Sequence, residues 1–384
     1  MNTSFLKKDL PLGGLFFVLL VFCLSSCQPA EANAPKLMAS VADSTVADTL
    51  PAEAAVDTTP QYHRVVGVGD MMLGTNYPSA SYLPPEGGRT MLAHVADTLR
   101  NADLTFGNLE GTILNEGGTA KRCNNPAACY VFRSPESYAK HFSTAGFDLL
   151  SLANNHSGDF GSPGRKRTKA VLDAEGIAYA GLAGTDETAI IERNGITYGF
   201  CAFAPNSGTC DVRNISRAKQ IVSSLVDQVD VIVVSFHGGA EGAKHQHVPR
   251  KYETYYGENR GNVYEFAHAV VDAGADIVFG HGPHVTRAME LYNDRLICYS
   301  LGNFCTYGRF NVRGVNGVAP IVSLRIDEEG KFIDGQVIPI YQMKTHGPKY
   351  DSQKRAIKLL QNLTAADFPE TSLSIRDDGK LGRK

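Results

Sequence analysis

Positive charge is not in excess in this sequence: 37 Lys and Arg stand against 40 Asp and Glu, a net charge of -3 with histidine neutral. A nucleic-acid surface needs clustered basic side chains, and the longest basic cluster, Arg165-Lys166-Arg167, is too short to supply one, so no nucleic-acid partner is expected. No Cys-x-x-Cys pair occurs among the 8 cysteines, which argues against a structural zinc site of the cysteine type. The longest apolar run, Leu12 to Leu24, is short for a transmembrane helix, and no internal repeat is evident. Residues 28 to about 60 are Ala, Pro, Asp, Thr, Ser and Glu with almost no aromatics, so they bury too little apolar surface to offset chain entropy and are expected to be a disordered tether.

What is present begins with an export signal. Lys7 and Lys8 precede the apolar run, which ends in Leu24-Ser25-Ser26-Cys27 and resembles the bacterial lipoprotein processing box. The resemblance implies removal of residues 1–26 and a lipid on Cys27; the competing reading is a plain secretory signal. Either puts the mature chain in an oxidising compartment, in the first case anchored to a membrane of the bacterial cell envelope on its extracytoplasmic side. Six cysteines remain beyond the anchor, and sequence proximity favours Cys123 with Cys129, Cys201 with Cys210 and Cys298 with Cys305.

From Arg64 onward, apolar runs of strand length alternate with amphipathic stretches of helix length, the pattern of an α/β fold. Strands are expected at Val65 to Val68, Leu104 to Phe106, Leu149 to Ala153, Ile196 to Phe203, Val231 to Phe236, Ile277 to Phe279 and Leu296 to Leu301. Helices are expected at Arg89 to Arg100, Ser134 to Thr144, Asn262 to Ala273 and about Lys354 to Asn362. Ile321 to Ile326 and Phe332 to Ile340, joined by Asp-Glu-Glu-Gly, read as a hairpin at an antiparallel sheet edge. His94, His141 and His268 lie inside the helical stretches without partners in the pattern and are expected to be inert.

Six of the apolar runs stop at residues that bind metal or phosphate: Asp70; Asn108 and Glu110; Asn154, Asn155, His156 and Asp159; His237 and Glu241; His281 and His284; and Asn303. The ends of parallel strands share one sheet edge, where α/β proteins gather their ligands, so these residues form one candidate site. For Asn-Asn-His-x-x-Asp alone, the competing reading is a strand-to-helix turn with Asn and Asp as caps. Carboxylate, amide and imidazole donors without thiolate suit one or two divalent ions of Mn, Fe, Zn or Mg. The long loop Gly238 to Gly261 reads as a lid or substrate loop, with Lys244, Arg250, Lys251 and Arg260 available to an anionic substrate and His245 and His247 as mobile surface side chains.

The motifs Val68-Gly69-Asp70-Met71-Met72-Leu73-Gly74, Asn108-Leu109-Glu110-Gly111, Ala153-Asn154-Asn155-His156 with Asp159 and Gly161, His237-x-Gly239-x-Glu241, Gly280-His281-x-Pro283-His284 and Tyr299-Ser300-Leu301-Gly302-Asn303-Phe304 together resemble the CapA family of poly-γ-glutamate capsule synthesis proteins. The resemblance spans about residues 62 to 345, leaving 346–384 as a C-terminal helix and tail. That family is in turn similar to the calcineurin-like metallophosphoesterases, which implies a four-layer α/β/β/α sandwich of the metallo-dependent phosphatase type. It implies metal ligands at Asp70, Glu110, Asn155, His237, His281 and His284, and catalysis by His156 with Asp159. Asn108, Asn154, Glu241 and Asn303 are then left to contact substrate, an anionic polymer or a phosphate-containing compound, with other envelope biosynthesis proteins as partners. The sequence departs from those patterns at Met72, where phosphoesterases carry His, and in the three-residue spacing of His281 and His284 instead of two. Gly238 and Gly282 stand where Trp and a second His are common.

Overall fold

The computed structural model describes residues 62–123, 129–343 and 346–384. The tether and Cys27 lie outside them. Among the described residues no helix is long and apolar enough to cross a membrane.

Two sheets lie face to face. In the larger, ten-stranded sheet the strand His63–Met72 pairs in parallel with Leu104–Leu109, which pairs in turn with Leu149–Ser151 and that with Ala178–Ala180. On its other side His63–Met72 runs antiparallel to Val318–Ile326, whose hairpin partner is Phe332–Met343. The hairpin is therefore interior to the sheet, because the C-terminal strands Lys380–Arg383 and Leu373–Ile375 continue beyond it. The six-stranded sheet runs Met289–Tyr292, Arg295–Cys298, Ile277–His281, Val231–His237, Ile196–Phe203, Thr188–Arg193.

Alternation along the strands builds three cores. Val65, Leu104, Phe106, Val231, Val233, Ile277 and Phe279 point between the sheets. Val66, Leu150 and Val68 point outward against Leu92, Leu99, Phe142 and Leu172 of the flanking helical segments. Ile232, Val234 and Val278 point outward from the other sheet against Ile221, Phe266 and Val270 of the helices Ile215–Ser223 and Val263–Asp272. The result is the expected α/β/β/α sandwich, with central strands such as Leu104–Leu109, Val231–His237 and Ile277–His281 buried on both faces as their continuous apolar runs require. Phe106 stacks on Phe279 across the middle at 5.2 Å. Gly67 makes that contact possible, since a Cβ there would sit 2.3 Å from the Phe279 ring.

Helix ends follow local chemistry: Asn262 caps Val263–Asp272 by accepting from the Glu265 amide. The expected helix at Arg89 to Arg100 shrinks to Ala96–Arg100, with turns before it, since Gly87 and Gly88 hold left-handed φ values just upstream. The expected helix at Ser134 to Thr144 starts later, at Ala139, after a 3-10 turn, and Pro135 supplies no side-chain cap.

The cysteine pairing is corrected. Cys123–Cys129 is a disulfide, whereas Cys201, Cys210, Cys298 and Cys305 are buried free thiols. Cys298 and Cys305 cannot meet because Cys298 faces the core between the sheets and Cys305 the outer core of the larger one. Burial pushes all four thiols well above their usual range, so they behave as inert apolar residues. In peptide mapping of the native protein these four should resist an alkylating reagent, and unfolding without reductant should expose them while Cys123 and Cys129 stay blocked. A reagent-accessible Cys123 before reduction would contradict this assignment.

Candidate metal centre

Strand register sets the site. In the larger sheet Asp70 lies between Asn303 and Asn108 on its two parallel neighbours, and Asn108 lies beside Ser151. In the smaller sheet His281 lies beside His237. The sequence pattern suggested one parallel edge; instead the ends of two facing sheets converge.

Asp70 is the fully buried hub. Its Oδ1 accepts from Asn108 Nδ2 at 2.9 Å and lies 3.0 Å from His281 Nδ1; its Oδ2 lies 2.8 Å from His284 Nδ1. Burial alone would raise this carboxyl, but the hydrogen bonds to His281 and His284 hold it well below the usual carboxylate range. Burial pushes Glu110 well above its usual range, against the pull of the His284 charge, whose Nε2 stands 3.4 Å from Glu110 Oε1. His284 itself is raised to about 10: burial opposes its charge, and the carboxylates of Glu110 and Asp70 override that opposition. It occupies a left-handed backbone position at φ 56°. Preceding it, Gly282 at φ 114° packs on Gly238, and a Cβ would fall 2.7 Å from the Gly238 carbonyl oxygen. Gly238 is confined separately, since a Cβ there would fall 3.0 Å from the Arg260 carbonyl oxygen and from Val263 Cγ1.

Asp70, Glu110 and His237 each present a ligand atom within 4.8 Å of the others, all three buried. Burial, followed by the charge of Arg260, pushes His237 well below its usual range, so its imidazole is neutral, as metal binding requires. Both His237 nitrogens, His281 Nε2, Glu110 Oε1 and Asn155 Oδ1 are buried without a hydrogen-bond partner among the described residues. Orphaned buried polar atoms are costly, and their gathering here fits a divalent cation. Met72 is buried and offers no comparable donor.

Asn154 acts as scaffold: its Nδ2 donates to Asn108 Oδ1 and to the Leu109 carbonyl, while its Oδ1 accepts from the His156 amide. His156 Nδ1 lies 2.8 Å from Asp159 Oδ2, and its ring packs 4.2 Å from Phe132. Burial lowers the His156 pKa while Asp159 opposes that shift. Phe310 stacks on Phe132 and meets His284 edge-on, so one aromatic wall joins the Asp159–His156 pair to the carboxylate cluster.

The remaining expected contacts take other partners. Asn303 donates to the backbone carbonyls of His284 and Asn316, fixing the histidine loop, with only its buried Oδ1 unpaired. Glu241 accepts from Arg260 Nη2 at 2.7 Å. The long loop is ordered, holding a 3-10 turn at Ala243–His245 and a hairpin of Thr254–Tyr255 with Glu258–Asn259. His247 pairs with Asp367 away from the cluster, and His268 lies 2.7 Å from buried Glu290. Lys121, Phe132, Phe310 and Arg287 were not singled out by sequence reasoning; no motif spacing points to them.

The bacterial capsule synthesis protein PGA_cap family matches residues 64–307. The chain belongs to that family. The capsule biosynthesis protein CapA of Bacillus anthracis is 30% identical over 258 residues, which cover 62% of this chain and 58% of the relative. The PGA biosynthesis protein CapA of Bacillus subtilis is 27% identical over 256 residues, covering 62% of this chain and 61% of the relative. The chain thus spans about three-fifths of the length of these curated relatives. Among solved structures, the NAD nucleotidase NadN of Haemophilus influenzae superposes with a TM-score of 0.39 at 12% identity, over 79% of this chain and 56% of that one.

Proposed function

We propose that this member of the capsule synthesis family is a lipid-anchored envelope protein that acts on an anionic capsule polymer such as poly-γ-glutamate, by metal-assisted hydrolysis or transfer. The observation that carries the reading is the set of unpartnered buried donors on Glu110, His237 and His281 around ionised Asp70, beside an Asp-oriented histidine. One or two divalent ions would be held by Asp70, Glu110 and His237, with His281, His284 and Asn155 completing the set. Such an ion supplies polarisation of a phosphoryl or carbonyl oxygen and lowers the pKa of water. The chain's own residues do the rest. In the acid role His156 is the imidazolium: its Nδ1–H stays hydrogen-bonded to Asp159, and the proton passed to the leaving group is the one on Nε2, which leaves the neutral Nδ1–H tautomer to take a proton back from water. Phe132 and Phe310 exclude water from that ring. Arg260, Glu241 and the ordered loop over His237 supply charge and shape for an anionic chain. The Cys123–Cys129 disulfide supports an oxidising compartment, and the Leu24-Ser25-Ser26-Cys27 box supports the anchor.

Purified protein supplemented with Mn or Zn is the test, screened on phosphoesters and γ-glutamyl polymers. His156→Ala should lower kcat by about 10²- to 10⁴-fold, the usual worth of a positioned proton donor, and leave metal content unchanged. Full turnover by that variant would reject His156 as the acid. A second reading, a non-catalytic polymer-binding or assembly subunit, is favoured by Met72, which removes one ligand of a two-metal site. Metal-dependent turnover of any of these substrates would eliminate it.

A further inference from the structure

Asp159 is fully buried, and among the described residues the groups that hold its carboxylate besides His156 are Lys121 and Phe132, which flank the Cys123–Cys129 disulfide. Lys121 Nζ lies 2.6 Å from Asp159 Oδ1, and the backbone amide of Phe132 donates to Asp159 Oδ2 at 2.6 Å. Lys121 stands two residues before Cys123 and Phe132 three after Cys129, so the disulfide joins the two arms that meet on the carboxylate. Further contacts secure both arms. The Lys121 amide donates to the Asp159 carbonyl at 2.8 Å, and Lys121 Nζ donates to the Asn155 carbonyl at 3.1 Å. On the other arm, Arg309 donates to the Cys129 carbonyl and lies over the Tyr130 ring.

We propose that Lys121 and the Cys123–Cys129 disulfide are positioning elements: together they fix the Asp159 carboxylate in place, so that it stays within hydrogen-bond distance of His156 Nδ1 and sets the orientation of that ring. The physical reason is the cost of burying a carboxyl group without a cation and hydrogen-bond donors beside it. Remove the ammonium, and the buried Asp159 carboxyl loses the cation at Oδ1 that holds it in place opposite Nδ1. Open the disulfide, and the Lys121 and Phe132 arms are no longer held at one separation. The catalytic consequence rests on His156 acting as proton donor; the clamp itself does not.

The experiment therefore reads the hydrogen bond directly. In full-length protein carrying isotope-labelled histidine, proton NMR should show a downfield Nδ1–H resonance that disappears in His156→Ala. It should be lost or broadened in Lys121→Met and in the double variant Cys123→Ser/Cys129→Ser, and return in Lys121→Arg, which restores the cation. A resonance unchanged in both Lys121→Met and the double serine variant, each shown to be folded by circular dichroism, overturns the proposal. Where turnover is measurable, Lys121→Met should lower kcat about 10-fold or more with KM little changed. An equal loss in Lys121→Arg would mean that the charge is not what matters and would also overturn the proposal. A resonance that responds as expected in a protein without turnover keeps the clamp and rejects the hydrolase reading instead.

Discussion

Adding Mn or Zn to metal-stripped protein should raise its unfolding midpoint, and His237→Ala should abolish that rise. An ion that binds only the folded chain stabilises it by RT ln(1 + [L]/Kd), about 2.7 kcal/mol at a hundredfold excess over Kd. The side chains are arranged for this gain in advance: His237 is neutral, fully buried and unpartnered at both nitrogens, next to Glu110 Oε1, which is equally unpartnered. Without metal, the substitution has opposing effects. It opens a cavity, yet it removes two buried polar atoms whose lack of partners costs about 1–3 kcal/mol. The stripped proteins should therefore differ little, and the difference should appear when metal is added. Asp70→Ala should behave alike toward metal but lose stability even when stripped, because His281 and His284 lose their shared carboxylate. The decisive measurement is calorimetry with and without metal, alongside elemental analysis of each variant. Equal metal-induced shifts in wild type and His237→Ala would remove His237 from the ligand set.

The layers of the fold were legible because buried strands in an α/β sandwich are continuous apolar runs, and Val231 to Phe236 or Ile277 to Phe279 have no other reading that fits their length. Residues at strand ends were legible for the same reason, since the polar side chain follows directly on the apolar run. The partition of those strands into two facing sheets was not, because both sheets present the same pattern and the division is set by long-range strand pairing and by packing between the sheets, such as Phe106 on Phe279. Disulfide pairing failed at Cys298 and Cys305 because spacing along the chain says nothing of which face each thiol takes. Lys121 and Arg287 were invisible for a related reason: each matters through one long-range carboxylate, Asp159 or Glu253, that no local motif announces. The loop Gly238 to Gly261 reads from sequence as a structureless lid or substrate loop, but it holds a 3-10 turn and a hairpin, and a buried side chain from outside it helps to fix it.

That side chain is Arg287, and Glu253→Ala should be among the most destabilising single changes in the protein. The guanidinium is fully buried and donates from Nη1 and Nη2 to the two Glu253 oxygens, at 2.8 Å each. It also donates from Nε to the His245 carbonyl and from Nη2 to that of Ala240, while Glu253 accepts from the Ala240 amide. One side chain therefore fixes three points of the loop that carries Glu241 and Arg260 to the site. Arginine cannot discharge by losing its proton, so removing Glu253 leaves a buried cation uncompensated, at a cost of about 3–5 kcal/mol. Replacing both partners with apolar residues of similar size, Arg287→Met with Glu253→Leu, should cost much less than Glu253→Ala, because no charge is then stranded. Urea unfolding would measure both. Limited trypsin digestion would read the local consequence, with Lys244 and Lys251 cut faster in Glu253→Ala than in the wild type. If Glu253→Ala costs less than about 1 kcal/mol, the carboxylate is not compensating a desolvated charge, and the loop must be held by its other contacts.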